Sequence, residues 1–207
     1  REICENLRHG MQARLPCSIE PGDLQIMEWE LARWLGSQAR ERMLTGEAYF
    51  VGEHDILQRE RTVIGRGGQQ EAVRNLPNNR LVNNQYGKLV NQKADYLLGQ
   101  PISWEVENPG FDAALKRIFD RRFMRQLKRL GKTCYNEGVA WLYPYIDAEG
   151  ALRFRSFPGH EILPFWADAE HSRLECALRF YQLEGWVNGT LSLIDMVEVF
   201  DLAGVHC

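Results

Sequence analysis

The spacing of apolar residues changes once along this chain, and that change constrains the fold more than any other feature. In three segments between residues 24 and 130 the large apolar side chains recur every three or four positions, as on one face of an α-helix. From residue 139 onward they alternate with polar side chains, as in a half-buried β-strand. Helices followed by strands predict an α+β fold, with long helices first and an antiparallel, β-rich part after them, rather than alternating βαβ units.

Three long helices are predicted in the first part of the chain. The first is opened by a Pro-Gly-Asp turn at 21–23 and has its apolar face over 24–35, and it extends to residue 50 if the apolar spacing of 43–50 belongs to the same helix. A second spans 78–99, where Asn78 or Asn79 can cap the N-terminus and a Gly ends the helix. The third follows an Asn-Pro-Gly turn at 108–110, and its apolar stripe runs from residue 111 to residue 130.

The segments between these helices are predicted to be less regular. Residues 52–77 contain glycines and few core-sized side chains, which indicates a loop with short strand pieces. Residues 101–106 are strand-like in composition. Residues 1–20 show no clear period and are predicted to form an irregular N-terminal lead-in.

The second part of the chain has the pattern of a β-hairpin and further strands. Alternating runs at 139–146 and 151–157 flank an Asp-Ala-Glu-Gly turn, which predicts the hairpin. Three more strands are predicted, at 162–165, 178–183 and 191–200. Residues 21–207 are therefore predicted to form one domain, helical over 21–135 and β-rich over 139–207.

Composition excludes several classes of protein. With 44% hydrophobic and 11% aromatic residues, the chain is too apolar to be intrinsically disordered. No stretch approaches the roughly 18 uncharged apolar residues of a membrane span, so we expect no membrane partner. Five scattered cysteines without a Cys-x-x-Cys pair are typical of reduced thiols in a cytoplasm. The chain begins without Met and stops after a strand-like run, which favours a longer natural protein.

Charge is distributed unevenly along the chain. The formal net charge of −3 conceals −4 over residues 1–56, +7 over 57–144 and −6 over 145–207. The positive charge concentrates in the third predicted helix, at Lys116, Arg117, Arg121, Arg122, Arg125, Lys128, Arg129 and Lys132. This basic helix has three interpretations: a solvated face, a contact with acidic residues of a neighbouring subunit, or a face for DNA phosphates.

Motifs for catalysis, cofactors or metals have no support at the residue level. The glycines at 65–68 lack the Walker spacing and the Lys-Ser/Thr that would follow it. His54-Asp55 and His160-Glu161 are adjacent pairs, not the i, i+4 pairs with which a helix binds a metal. No serine lies in a Gly-x-Ser-x-Gly elbow. We therefore expect no enzymatic activity, no cofactor and no metal.

Two blocks of sequence contain recognisable phrases. The first has Asn-Asn-Arg-Leu-Val-Asn-Asn at 78–84 and Tyr-Leu-Leu-Gly-Gln-Pro-Ile at 96–102. The second has Asn-Glu-Gly-Val-Ala-Trp-Leu at 136–142 and Glu-Ile-Leu-Pro at 161–164. In their order and spacing these phrases, which lie within 49–183, resemble the portal (head-to-tail connector) proteins of siphophage-type tailed bacteriophages.

The resemblance implies a structural subunit of a ring, a dodecamer in the assembled phage, at one vertex of the capsid. Double-stranded DNA would be packaged and ejected through the channel of that ring, without sequence-specific contacts. Implied partners are the major capsid protein, the large subunit of the terminase, and head-completion or adaptor proteins. This chain would be chiefly the wing, the outer radial part, with the stem and clip outside it. The implied location is the portal vertex of the virion, and the host cytoplasm during assembly.

A ring of identical subunits requires two different, complementary faces on each subunit. The basic third helix and the acidic segment 145–207 offer one such pair. We therefore expect the face formed by residues 116–132 to meet acidic groups of an adjacent protomer or of a shell protein.

Two other functions stay open at this stage. A metal-dependent phage DNA-processing enzyme would require clustered carboxylates that hold two metal ions about 4 Å apart. The candidate donors are Glu137, Asp147, Glu149 and Glu161. A scaffold or adaptor protein would bind one partner without forming a ring.

Overall fold

The computed structural model describes residues 21–73, 75–187, 189–201 and 204–206. These residues form two compact units. Met43–Gly138 is the first, which we call the helical unit, and the described residues on either side of it form the second, the β-rich unit. The lead-in predicted for residues 1–20 lies outside the described residues.

Within the described residues, five α-helices and two short 3-10 helices are present. The α-helices are α1 Pro21–Leu35, α2 Gln38–Val51, α3 Gln85–Leu98, α4 Pro109–Ile118 and α5 Arg121–Glu137. The 3-10 helices are Asp55–Gln58 and Gly159–Glu161. None of the described helices has both the length and the apolar composition that crossing a bilayer requires.

The extension of the first predicted helix to residue 50 is wrong, because the chain leaves the helix between α1 and α2. Gly36 weakens the helix at this point, since glycine costs about 1 kcal/mol relative to alanine. The hydroxyl of Ser37 then accepts a hydrogen bond from the backbone N–H of Arg40 at 3.2 Å. Apolar spacing continues across the break, so periodicity alone could not locate it.

The prediction of one helix over 108–130 is also wrong, because a new helix starts at Asp120. One carboxylate oxygen of Asp120 accepts hydrogen bonds from the backbone N–H groups of Arg122 and Phe123, both at 2.8 Å. An N-cap of this kind satisfies donors that a continuous helix would pair with the preceding turn. The predicted basic helix is therefore two helices, α4 and α5.

The predicted start of α3 at Asn78 or Asn79 is wrong as well. The cap is Asn84, whose side-chain oxygen accepts a hydrogen bond from the backbone N–H of Gly87 at 2.7 Å. The side chain of Asn78 instead donates to the backbone oxygen of Arg59 at 3.0 Å. This asparagine therefore ties the preceding loop together and does not begin the helix.

The segments between the helices partly follow the prediction. Strands β1 Thr62–Ile64 and β2 Gln70–Ala72 pair as a small antiparallel hairpin, which confirms a loop with short strand pieces. Residues 101–106 form no strand, so that prediction is wrong. Within this segment the indole N–H of Trp104 donates to Asp112 Oδ1 at 2.9 Å, which ties the segment to α4.

The β-rich unit contains two antiparallel sheets. β3 Ala140–Ile146 and β4 Leu152–Pro158 form the predicted hairpin. The other sheet has the order β5 Ile162–Trp166, β6 Leu174–Val187, β7 Thr190–Phe200 and β8 Val205–His206. Every predicted strand after residue 139 is present, and β6 extends beyond 178–183 at both ends. The predicted α+β fold class is confirmed.

The core of the β-rich unit occupies both faces of this second sheet. On one face, Met27 of α1 packs with Phe165, Cys176 and Leu178. On the other face are Phe157, Ile162 and Ala177, with the rings of Trp141, Tyr143 and Phe200 packed against them. Burial raises the pKa of the Cys176 thiol to about 12, so this cysteine is a core residue and not a nucleophile.

Strands β6 and β7 extend beyond this core as a two-stranded ribbon. β5 pairs with β6 only as far as Arg179, and β8 pairs with β7 only at Val199 and Phe200. Beyond these points, within the described residues, β6 and β7 pair only with each other. We call residues 182–195 of this ribbon the hairpin tip. An isolated two-stranded ribbon buries little apolar surface by itself.

Candidate functional site

The bounds of the basic helix α5 are set by a residue at each end. Asp120 caps its N-terminus, as described above. At the C-terminus Gly138 adopts a φ of +83°, a conformation that favours glycine, and its N–H donates to the Cys134 oxygen at 2.8 Å. These two caps fix which residues of the basic segment share a helix.

The apolar side of α5 packs against α3. Gly131 lies against the side chain of Leu98 so closely that a Cβ at position 131 would overlap Leu98 Cδ1. Phe123 of α5 is buried, as are Val90 and Ala94 of α3. Because this side of α5 is fixed inward, the opposite side faces solvent.

The outward side of α5 is cationic. At about 100° per residue, six basic side chains fall within an arc of about 120° on the helix. They are Arg121, Arg122, Arg125, Lys128, Arg129 and Lys132. The four arginines are exposed and the two lysines are partly buried. Of the predicted set, Lys116 and Arg117 lie on α4 instead.

Two of the predicted cations form ion pairs within the helical unit. Lys128 Nζ lies 2.5 Å from Asp95 Oδ1, and this hydrogen bond lowers the pKa of Asp95. Lys116 Nζ lies 2.7 Å from Asp112 Oδ2 and, together with the Trp104 indole, lowers the pKa of Asp112. These two lysines are therefore less available to an external partner than the sequence indicates.

The arginines differ from these lysines. In the part of the chain that the structure describes, no ion pair involves the guanidinium groups of Arg117, Arg121, Arg122, Arg125 or Arg129. Arginine forms bidentate hydrogen bonds with carboxylates and phosphates, and it is less strongly hydrated than lysine. The exposed arginines are thus the part of the basic face best suited to an acidic partner.

A groove of about 380 Å³ lies between the end of α3 and the start of α5. Its lining comprises Leu98, Gly99, Gln100, Pro101, Phe119, Asp120, Arg121, Met124, Arg125 and Lys128. The ring of Phe119 is held between those of Trp104 and Phe123, at centroid distances of 5.8 and 5.0 Å. The groove therefore has an apolar floor, which includes the Phe119 ring, and a cationic rim.

Two of the four carboxylates proposed for a metal site form ion pairs with arginines. Glu161 Oε2 accepts a hydrogen bond from Arg179 at 2.8 Å, and Asp147 Oδ2 accepts one from Arg153 at 2.7 Å. Among the described residues, no group of three or more His, Cys, Asp or Glu side chains is placed to hold a metal ion. The four donors predicted for a DNA-processing enzyme are not brought together as a metal cluster in this part of the chain.

Comparison with known proteins decides the family. The family model described as "Phage portal protein, SPP1 Gp6-like" matches residues 36–206. The chain belongs to this family. It is 29% identical over 145 residues to the portal protein of Bacillus phage SPP1, which covers 70% of this chain and 29% of that protein. It is 27% identical over 155 residues to the portal protein of Clostridium phage phiCD119, which covers 70% of this chain and 34% of that protein.

Membership of the portal family confirms the resemblance drawn from the sequence, and that family is structural rather than enzymatic. The chain spans about a third of the length of the curated relatives that it matches. The portal match includes all of the helical unit and most of the β-rich unit.

The phrases that carry the portal resemblance have structural roles in this chain. In the Asn-Glu-Gly phrase, the amide of Asn136 donates to Glu47 Oε2 at 3.0 Å, and Gly138 ends α5. Gly46 of α2 lies so close to the backbone of Asn136 that a Cβ would overlap it. The other phrase, 96–102, ends α3 and forms one wall of the groove. The groove itself could not be found from sequence, because its walls come from two separate segments.

Proposed function

We propose that this chain is the wing part of a portal subunit, which assembles into a ring at one vertex of a phage capsid. Double-stranded DNA is packaged and ejected through the channel of that ring. The proposed ring is a dodecamer, located at the portal vertex of the virion after assembly in the host cytoplasm. It meets the major capsid protein, docks the large subunit of the terminase, and later binds head-completion or adaptor proteins.

The observation that carries this proposal is the extent of the family match. Residues 36–206 match the portal family, and this range includes helices and strands of both compact units. A short shared motif could be transferred between unrelated proteins, whereas a match over most of the chain supports a shared role. The non-ring scaffold or adaptor is the remaining alternative, and it predicts a subunit that does not self-associate.

The geometry of α5 supports a contact between subunits. A closed ring uses heterologous interfaces, in which one face of a subunit meets a different face of the next. The exposed arginines of α5 have no ion pair within the described part of their own chain. Residues 145–207 carry 10 acidic and 4 basic side chains, so each copy also presents a surface of opposite charge. Complementary potentials of this kind guide association and fix the register of the contact.

A protein partner for the α5 face is favoured over DNA by the apolar groove. Non-specific DNA binding depends on phosphate contacts and needs cations alone. Here Arg121 and Arg125 border the apolar side chains of Leu98, Phe119 and Met124. Phosphate oxygens would gain no binding free energy from these apolar side chains. A protein surface with an apolar centre would remove them from water and so gain binding free energy.

The proposal is tested by measuring the mass and shape of the assembled full-length protein. Native mass spectrometry and ring counting in electron micrographs should give closed rings of about a dozen subunits. A protein that stays monomeric even at the highest subunit concentration measured would overturn the proposal and favour the adaptor.

The role of α5 is tested by reversing the charge of Arg121, Arg125 and Arg129 to Glu together. We expect ring assembly to be lost while the far-UV circular dichroism is kept, because all three side chains are exposed and glutamate is a good helix former. The matched control reverses three exposed cations of the helical unit outside this face, namely Arg59, Arg66 and Lys88. Equal loss of rings in both triple variants would show that total charge, and not this face, drives assembly.

A further inference from the structure

The hairpin tip has the properties of a contact surface. In the register of β6 and β7, Trp186 lies opposite Leu191, and Glu184 lies opposite Leu193. Directly opposed residues share a face of the ribbon, and residues two apart along a strand share it as well. Trp186, Leu191 and Leu193 therefore lie on one face, and their exposed fractions are 75%, 54% and 61%.

The same face of the tip is bordered by acidic side chains. Glu184 and Asp195 are both exposed, and both are on the face that carries Trp186. The side-chain amide of Gln182 donates a hydrogen bond to Asp195 Oδ1 at 2.8 Å. Gln182 and Asp195 are the cross-strand pair next to that of Glu184 and Leu193. The tip thus presents an apolar centre with an anionic border, on a ribbon that has no sheet neighbour among the described residues.

The groove of the helical unit has the complementary pattern. Its floor is apolar, at Leu98, Phe119 and Met124, and its rim carries the guanidinium groups of Arg121 and Arg125. The one carboxylate in its lining, Asp120, already accepts two backbone N–H bonds at the start of α5. A volume of about 380 Å³ is sufficient for a large aromatic side chain and its neighbours.

We propose that the hairpin tip of one subunit docks in the groove between α3 and α5 of the adjacent subunit. The occupant of the groove is thus a second copy of this chain, with the Trp186 side chain on the apolar floor. Glu184 and Asp195 pair with Arg121 and Arg125 at the rim. This contact is heterologous, as a ring requires. The inference rests on the proposed ring and specifies which two surfaces of the subunit form it.

Energetic reasoning identifies Trp186 as the residue that matters most. Tryptophan buries about 150–250 Å² and is enriched among the residues that dominate binding at interfaces. Within the subunit its side chain is mostly exposed, so truncating it removes little of the subunit's own core. We expect Trp186→Ala to raise the subunit concentration needed for half-maximal ring formation at least about tenfold.

The decisive experiment places a photo-crosslinking amino acid at position 186 of the full-length protein. Rings are assembled from a mixture of ¹⁵N-labelled and unlabelled subunits, irradiated and digested, and crosslinked peptides are identified by mass. We expect peptide pairs of mixed isotope content that join position 186 to residues 98–101 or 119–128. The matched control carries the crosslinker at Leu183, which is exposed on the opposite face of the ribbon.

The outcomes separate this inference from the proposed function. Rings that form but crosslink position 186 to another segment, or within a single subunit, overturn the docking and leave the ring intact. Failure of the wild-type protein to form any ring overturns the proposed function and, with it, the docking.

A charge exchange provides an independent test. Arg121→Glu with Arg125→Glu should impair assembly, as should Glu184→Arg with Asp195→Arg, and the four changes together should restore rings. If the arginine pair instead abolishes DNA retention without changing assembly, the groove faces DNA and the inference is wrong.

Discussion

The base and the tip of the β6–β7 hairpin are parts of the same two strands, yet their environments differ. At the base, Ala177 and Leu178 are buried on opposite faces of the sheet, one under the rings of the β3–β4 hairpin and the other under α1. At the tip, Trp186 and Leu191 are exposed. Both places are rich in apolar residues, with Cys176, Ala177 and Leu178 at the base and Leu191, Leu193 and Ile194 at the tip. A strand pattern therefore predicts a surface to be covered, but it does not tell which part of which molecule covers it.

The charged groups show the same difference. At the base, Arg179 donates to Glu161 at 2.8 Å and to Glu198 at 3.0 Å, and the Tyr181 hydroxyl donates to Glu198 at 2.9 Å. The guanidinium carbon also lies 4.6 Å from the centroid of the Phe157 ring. At the tip, Glu184 has no such partner among the described residues. Charges at the base hold one subunit together, and those at the tip are available to another molecule.

The largest effect is expected from Arg179→Met. Removing the cation leaves Glu161 and Glu198 close together without a counter-charge, and breaking a buried ion pair in this way costs about 3–5 kcal/mol. The free energy of unfolding is measured by urea denaturation at subunit concentrations below those of ring formation.

The control for Arg179 is Arg153→Met. The Arg153 side chain is 45% exposed and pairs with Asp147 alone, whereas that of Arg179 is 10% exposed. An exposed pair contributes about 0.2–1 kcal/mol, so this control should lose far less stability. Similar losses for the two variants would contradict the distinction between a buried charge cluster and a surface pair. Adding Glu198→Gln to Arg179→Met should recover part of the loss, since it removes one uncompensated charge.

A smaller or comparable effect is expected from Leu178→Ala. Leu178 is 1% exposed, and truncation of a buried leucine costs about 2–5 kcal/mol through lost burial and the cavity that remains. The matched substitution at the tip, Leu191→Ala, should change the free energy of unfolding by less than about 0.5 kcal/mol. Thermal or urea unfolding of both variants measures the difference, and equal losses would mean that the tip is packed within its own subunit.

How far the sequence predicts the fold depends on whether the information is local. The strands after residue 139 are predicted because period-2 alternation and an Asp-Ala-Glu-Gly turn are both local patterns. The breaks at Ser37 and Asp120 were missed, although both residues are good N-caps, because apolar spacing continues across them. The start of α3 was misplaced because Asn78 and Asn84 have equal cap propensity, and only the loop contacts distinguish them.

The candidate site was predicted in part. The cations of α5 are visible in the sequence as a basic run, but the pairing of Lys128 with Asp95 joins two helices and depends on how α3 packs against α5. Likewise, Leu98 and Met124 become neighbours in a groove only after that packing. Residue types thus predict the charge of the surface, whereas its apolar floor follows from tertiary structure.

A pH dependence is expected from Glu198 at the base of the hairpin. Burial works against its charge, but hydrogen bonds from Arg179 and Tyr181 hold its pKa below the ordinary value of 4.5. A carboxyl with a lowered folded-state pKa contributes stability above its unfolded pKa, and this stability is lost as the pH falls through the folded value. The difference in unfolding free energy between the wild type and Glu198→Gln should therefore be largest near neutral pH and shrink below about pH 4.5. A difference in unfolding free energy that stays constant from pH 7 to pH 3 would mean that the negative charge of Glu198 does not stabilise the folded subunit.

The smallest effect on stability is expected from Glu184→Lys at the tip. Glu184 is exposed and lies opposite Leu193, so reversing its charge should change the free energy of unfolding by less than about 0.5 kcal/mol. The same substitution should nevertheless weaken ring assembly, because it would place a cation against the arginine rim of the groove. Urea unfolding and native mass spectrometry of one variant measure both quantities.

A loss of more than about 1 kcal/mol in the free energy of unfolding of Glu184→Lys would show that the tip supports its own subunit. The contrast between a structural base and an exposed tip would then be wrong. Unchanged stability with unchanged rings would leave the tip a solvated ribbon and remove the basis for docking. The contrast holds only if stability and assembly respond differently to this single charge.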